Sequence, residues 1–269
     1  MTTTSRPPLP DAPEELTGSV QTAFEAPEWY FDRLNYRIQL RRKAVRQWTR
    51  NLGFERCLDI GCGDGSVSLQ LLQAGRSLTL QDLSDAMLER ARRSIPPSFE
   101  NCVKTVGGDF LQAVLPPKAY DIVICLGVLS YIMDLNAFLA KVASLVAPRG
   151  HLIIECTDGA HFLSKLWAAY SRLTGLVRKP AVRIALQAHA ARTVGRTLRN
   201  RGFALAGTYR YSAPPPVIRR FFGQRFHSGV NQILHGDAAH NRLAWLGAEC
   251  IFHFQQTAAA QIQPDGGHE

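Results

Sequence analysis

The feature that most constrains the fold is the octapeptide LDIGCGDG, Leu58 to Gly65. It closes a short apolar run, ERCLDI at 55–60, and opens a segment patterned as a helix, Ser66 to Gln73, which Gly75 ends. Gly61, Gly63 and Gly65 stand at alternate positions. Glycines so placed let the chain turn tightly and bring its backbone close to a ligand. A glycine loop between strand and helix also suits a dinucleotide, but Ser66 stands where that fingerprint has its third glycine.

The rest of the chain repeats this alternation. SLTLQD (77–82) reads as a second strand, and Ser84 as the N-cap of a helix from Asp85 to Ser94 that Pro96 and Pro97 end. CVKTVGGDF (102–110) reads as a third strand with its loop, and YDIVICL (120–126) as a fourth. A helix from Asn136 to Val146 precedes Pro148 and Gly150, and HLIIECT (151–157) is a fifth strand. Such alternation predicts an α/β fold: a doubly wound parallel sheet with helices on both faces. Right-handed crossovers put the strands' C-terminal ends on one edge, where ligands bind.

Before this core, a helix starting at Pro27 and reaching about Asn51 carries Trp29, Tyr30, Leu34, Leu40, Val45 and Trp48. After it come an apolar helix face from Phe162 to Leu173, a helix from Ala191 to Asn200, and strands at 203–211 and 248–256. The expected organisation is a disordered tail at 1–18, an N-terminal helical cover at 19–53, one domain at 54–256 and a disordered tail at 257–269. Segments 158–190 and 212–247 are insertions, long enough to serve as a substrate lid.

Composition narrows the class. The chain has 269 residues, 46% apolar and 20% charged, which is globular and excludes wholesale disorder. No uncharged run reaches the roughly 20 residues of a membrane span. The N-terminus lacks a secretory layout, so a cytoplasmic protein is expected. Six cysteines without C-x-x-C spacing read as free buried thiols, and no metal site is expected. The net charge of +9 is uneven: from Gly159 to Gly236 there are 13 basic residues and no acid. That stretch would attract an anionic partner, whether nucleic acid, a membrane surface or an acidic substrate, or form a solvated basic face.

Two acids give the glycine loop its context. Asp82 ends the second strand, where a carboxylate can accept both hydroxyl protons of a ribose. Gly108-Asp109-Phe110 follows the third, where an acid can accept from an adenine amino group. With Asp59, Gly61, Gly63 and Gly65, these positions resemble the class I S-adenosylmethionine-dependent methyltransferases. YDIVICLGVLSYI (120–132) and APRGHLIIE (147–155) resemble the family's fourth- and fifth-strand segments. The resemblance covers about residues 30–157 and more loosely 190–256, and is nearest to the ubiquinone-biosynthesis and magnesium-protoporphyrin group.

The resemblance implies a Rossmann-like seven-stranded sheet with its last strand antiparallel, and S-adenosyl-L-methionine as cofactor. It implies that Asp59, Gly61 and Gly63 hold the methionine part, Asp82 the ribose, Asp109 and Phe110 the adenine, and that Leu126 passes beneath the cofactor. Methyl transfer to oxygen often needs a base. Candidates are Tyr131, after the fourth strand, and His161, after the fifth, with His189, His227 and His235 further off. Tyr30 is a candidate from the helical cover.

The expected function is methyl transfer to an oxygen of a small, lipophilic or anionic metabolite, with possible anchorage of 159–236 on an anionic membrane. Alternatives are a transfer-RNA or other nucleic-acid methyltransferase, a nucleotide-binding oxidoreductase, and a non-catalytic partner that keeps only the pocket. LGVLSYI lacks the proline of the N/D-P-P-Y/F motif used on base amino groups. Tyr131 stands where porphyrin enzymes tend to carry a histidine, which speaks against a porphyrin substrate.

Overall fold

A computed structural model describes residues 28–166, 189–212, 236–238 and 243–257, with the side chains of 28–35 and 244 left aside. The expected tail at 1–18, that at 257–269 apart from Thr257, most of the Phe162–Leu173 helix, most of the 212–247 insertion, His227 and His235 lie outside the described residues.

Helix α1 (Glu28–Thr49) leads into β1 (Arg56–Ile60). Then follow β2 (Ser77–Asp82), α2 (Asp85–Arg93), β3 (Val103–Gly107), β4 (Tyr120–Cys125), α3 (Leu135–Leu145), β5 (Val146–Thr157), α4 (Ala191–Asn200), β6 (Phe203–Tyr211) and β7 (Glu249–Gln256). They form one seven-stranded sheet in the order β3-β2-β1-β4-β5-β7-β6. β1 to β5 pair in parallel, and β7 runs antiparallel between β5 and β6. The expected fold, last strand included, is the fold observed.

Both faces of the sheet are covered, so its central strands read as apolar runs rather than alternating ones. On one face Leu58, Ile60, Val123, Cys125, Leu152 and Ile154 meet Phe138, Leu139 and Val142 of α3 and Val194 and Leu198 of α4. On the other, Cys57, Leu80, Ile122, Ile124, Ile153 and Ile251 meet Leu40, Ala44 and Val45 of α1 and Leu88 and Ala91 of α2. The Ser84 side chain accepts from the Met87 amide at 3.3 Å and caps α2 as its sequence predicts. The helix ends on Arg90, Arg92 and Arg93, which favour its negative pole. All six cysteines are free, and all but Cys102 are buried.

Two elements depart from the sequence reading. The expected helix Ser66–Gln73 is only a 3₁₀ turn, Leu69–Leu71. Ser66, Val67 and Ser68 are weak helix formers. The Asp64 carboxylate takes the Ser66 amide at 3.0 Å, and the Ser68 and Leu71 amides close i→i+3 bonds to Gly65 and Ser68. The fifth strand starts at Val146 rather than His151. Arg149 adopts φ 64 and the β4–β5 register shifts between Tyr120 and Ile122, so the strand passes Pro148 as an irregularity rather than stopping there.

Candidate active site

The C-terminal edge of the parallel strands is stitched together by three loops. Beyond β1, Gly61, Gly63 and Gly65 have φ of 66°, 56° and 72°, a region open to glycine. The Gly63 amide donates to Asp82 Oδ2 at 2.7 Å, and the Ser84 amide to Asp82 Oδ1 at 2.9 Å. The Cys62 amide donates to the Gln81 carbonyl at 3.0 Å. The third loop joins through the Gly108 amide on the Asp82 carbonyl (3.0 Å) and the Gln81 side-chain amide on the Gly108 carbonyl (2.6 Å).

The glycines differ in what surrounds them. A Cβ on Gly61 would lie 2.3 Å from Val128 Cγ2, so that glycine serves packing. A Cβ on Gly63 or Gly108 would meet nothing within 4 Å. Gly63 therefore presents bare backbone to open space beside the Asp82 carboxylate, where a ligand can approach closely.

Asp59 is 3% exposed, and its Oδ2 is buried without a hydrogen-bond partner. Burial pushes its carboxyl up to about 7, opposed by Ser68 and Arg41 and reinforced by the charges of Asp82 and Asp64. Burial also raises Asp82, against the hydrogen bonds from the Ser84, Gly63 and Leu83 amides. Three amides occupy three of the carboxylate's four lone pairs, which leaves one for a hydroxyl donor.

The remaining expected residues divide. Leu126 follows β4, is 7% exposed and lies on the α1 face of the sheet. Asp109 is half-buried, and its Oδ1 accepts from the Leu111 amide at 2.9 Å. Phe110 is turned into the core, its ring 5.1 Å from that of Phe138. Tyr131 ends the 3₁₀ turn Leu129–Tyr131, directly after β4, and is half-buried. His161 lies beyond β5, where Nδ1 accepts from the Leu163 amide at 3.2 Å and Nε2 lies 2.7 Å from the Trp245 carbonyl. Those two partners select the tautomer protonated at Nε2. His189 Nε2 lies 3.0 Å from the Ile132 carbonyl. Tyr30 lies in the first turn of α1, and its side chain is outside the described residues.

Sequence reasoning missed a buried charge cluster at the same edge. Arg41 pairs with Glu155 at 2.6 Å and Arg37 with Glu249 at 2.6 Å. The Tyr211 hydroxyl donates to Glu155, and the Thr157 hydroxyl to Glu249 at 2.7 Å. The signal was present: Glu155 interrupts the apolar run LIIEC, and Arg37 and Arg41 share one helix face with Leu40 and Ala44.

Comparison with known proteins agrees with this geometry. Residues 58–154 match the family model of a methyltransferase domain. A ubiquinone biosynthesis O-methyltransferase of Saccharophagus degradans is 35% identical over 103 residues, 38% of this chain and 43% of that protein. A glycine N-methyltransferase of Mus musculus is 34% identical over 130 residues, 43% of this chain and 44% of that protein. The chain spans about half the length of the curated relatives it matches. The structure of magnesium protoporphyrin IX methyltransferase from Synechocystis PCC 6803 with bound SAH superposes with a TM-score of 0.61. It covers 90% of this chain and 100% of its own at 18% identity, a likeness of fold. Residues 58–154 thus form a methyltransferase domain, and the fold around it is shared with a methyltransferase solved with SAH bound.

Proposed function

We propose that the whole chain is a methyltransferase that moves the methyl group of S-adenosylmethionine to an oxygen of a small lipophilic or anionic molecule. The observation that carries the reading is the Gly63 amide held on Asp82 with open space before it. The residues present fit the cofactor. Asp59, with its buried unpartnered oxygen, Gly61 and Gly63 hold the methionine part. Asp82 takes a ribose hydroxyl. The Asp109-Phe110 segment holds the adenine through the Asp109 carboxylate and the backbone, the Phe110 ring being turned away against Phe138, and Leu126 forms the floor. When bound, the cofactor supplies an electrophilic methyl carbon on a sulfonium.

In this reading the chain's own residues position the acceptor, exclude water and handle one proton. Tyr131 serves as the base: its phenol releases its own proton to solvent and the phenolate takes the hydroxyl proton of the acceptor. His161 is the second candidate, able to accept a proton once its Nδ1 gives up the Leu163 amide, and Tyr30 closes the site from α1. The choice of oxygen is supported by the ubiquinone O-methyltransferases among the relatives.

The exposed side chains of Phe162 (49%) and Leu166 (64%) lie within the acid-free stretch, and Trp245 (64%) stands beside them, its ring 6.2 Å from that of Phe162. Aromatic and basic residues together suit an anionic membrane surface, where a lipophilic acceptor is met. No helix among the described residues is long and apolar enough to cross a membrane.

Calorimetric titration with S-adenosylhomocysteine, with a nicotinamide dinucleotide as control, tests the reading. Micromolar binding of the first alone supports it. Binding of the dinucleotide alone replaces it with an oxidoreductase.

A further inference from the structure

We propose that Lys141 is a positioning residue for purine selectivity: from α3 it clamps the loop that carries Asp109, so that the cofactor site takes a 6-amino purine and rejects a 6-oxo one. The inference rests on the methyltransferase reading above. The Lys141 ammonium donates to the Leu111 carbonyl at 2.9 Å and to the Ala113 carbonyl at 2.7 Å. It also lies 5.1 Å from the centroid of the Phe110 ring. All three contacts fall within the turn that Asp109 begins.

That turn needs support from outside the sheet. β3 is an edge strand, and none of its residues is fully buried. The near end of its loop is held by β2, through the Asp82 carbonyl and the Gln81 side chain on Gly108. Beyond Gly108 the chain closes on itself. The Gln112 and Ala113 amides each reach the Asp109 carbonyl at 3.0 Å, and the Leu111 amide reaches Asp109 Oδ1 at 2.9 Å. The carbonyls of Leu111 and Ala113 take no part in those bonds, and Lys141 takes both. Phe138 stands three residues before Lys141 on the same face of α3, and its ring meets that of Phe110 at 5.1 Å. The far end of the loop is thus held by α3, through one ring and one cation. Asp109 sits between the two anchors.

A lysine suits this place. Its compact ammonium carries three donors and can gather two carbonyls beneath a ring face, which a planar fork does less well. Hydrogen bonds from a cation are also stronger than neutral ones. Burial lowers the Lys141 ammonium from its usual value, and the charge of Asp109 opposes that shift. The Leu111 amide occupies Oδ1 of Asp109, which leaves Oδ2 to accept from an exocyclic amino group. A 6-oxo purine presents an oxygen there, lone pair against lone pair, with no proton between. Rejection of that ligand depends on a carboxylate that cannot swing aside. Lys141 supplies the fixation, and Asp109 reads the purine.

The experiment is calorimetry on the full chain with two ligands: S-adenosylhomocysteine, and S-inosylhomocysteine, in which an oxygen replaces the 6-amino group. It compares wild type, Lys141→Met, Lys141→Gln and Asp109→Ala, each with its melting temperature. Wild type is expected to prefer the 6-amino ligand by about tenfold or more. Both Lys141 variants are expected to lose about fivefold or more of that ratio, chiefly through weaker binding of the 6-amino ligand. A merely structural role would weaken both ligands alike, or lower the melting temperature, and leave the ratio unchanged. A wild-type ratio in either Lys141 variant that folds overturns the proposal. Asp109→Ala separates the causes. A ratio lost there and kept in the Lys141 variants leaves the acid as the reader and overturns the role of Lys141. A ratio kept there and lost in the Lys141 variants overturns the route through Asp109. A wild type that binds both ligands equally overturns the selectivity. A wild type that binds neither overturns the methyltransferase reading, and this inference with it.

Discussion

The carboxylate of Asp82 accepts the backbone amide of Gly63 at 2.7 Å, nineteen residues back along the chain. This bond joins the ends of β1 and β2 and orients the acid over the glycine loop. Asp82→Ala removes both the loop anchor and the acceptor proposed for the ribose. Charged hydrogen bonds of this kind are worth about 1.5–3 kcal/mol each. S-adenosylhomocysteine affinity is therefore expected to fall by about 100-fold or more in calorimetry. Retained affinity would remove Asp82 from the site.

Gly61 and Gly63 separate packing from binding. Gly61→Ala places a methyl 2.3 Å from Val128 and forces positive φ on a residue with a Cβ. It is expected to lower stability by about 2–3 kcal/mol, read by denaturant titration. A Cβ on Gly63 meets no protein atom within 4 Å, so the folding penalty of Gly63→Val is expected to come chiefly from φ +56. Its larger effect is expected on cofactor binding, which should be abolished while the protein remains folded.

Asp59 gives stability a slope with pH. Its carboxyl titrates at about 7 in the folded chain and near 3.9 when unfolded. Between those values the folded state holds the extra proton. Asp59 therefore contributes stability that is full below about pH 4 and is lost as pH rises toward 7. Asp59→Asn should abolish that part of the slope in thermal melts of the unliganded protein.

His253 acts in the opposite sense. Burial and the charge of His151, whose Nδ1 is 3.0 Å from His253 Nε2, hold it down at about 4. The unfolded chain takes up a proton near pH 6.5 and the folded chain does not. The stability it contributes is present above about pH 6.5 and is lost as pH falls toward 4. His253→Phe keeps a ring against Trp48 and is expected to flatten this acid limb. A melting curve as acid-sensitive as wild type would contradict it.

Tyr131→Phe tests the proposed base. Loss of general-base catalysis costs about 100-fold or more in turnover. S-adenosylhomocysteine affinity should stay unchanged, since the hydroxyl is assigned to the acceptor. Unchanged turnover would remove Tyr131 from the mechanism.

Local chemistry carried the fold a long way. The buried parallel strands announce themselves as apolar runs, and Ser84 announces the start of α2, because these signals act within a few residues. Gly61, Gly63, Asp82 and Asp109 were legible as a candidate site because each lies at or just past the end of a recognisable strand, and parallel topology brings those ends together. The failed helix after Gly65 was not legible, since its apolar spacing fits a helix and only the Asp64 and Gly65 hydrogen bonds decide otherwise. Nor was the inward turn of Phe110, which depends on Phe138 of α3. Arg41 and Glu155 lie 114 positions apart, and His151 and His253 lie 102 apart. Composition marks each of them as polar. Only the packing of α1 on the sheet and the placing of β7 beside β5 remove Arg41, Glu155 and His253 from water, and removal from water is what makes each require its partner.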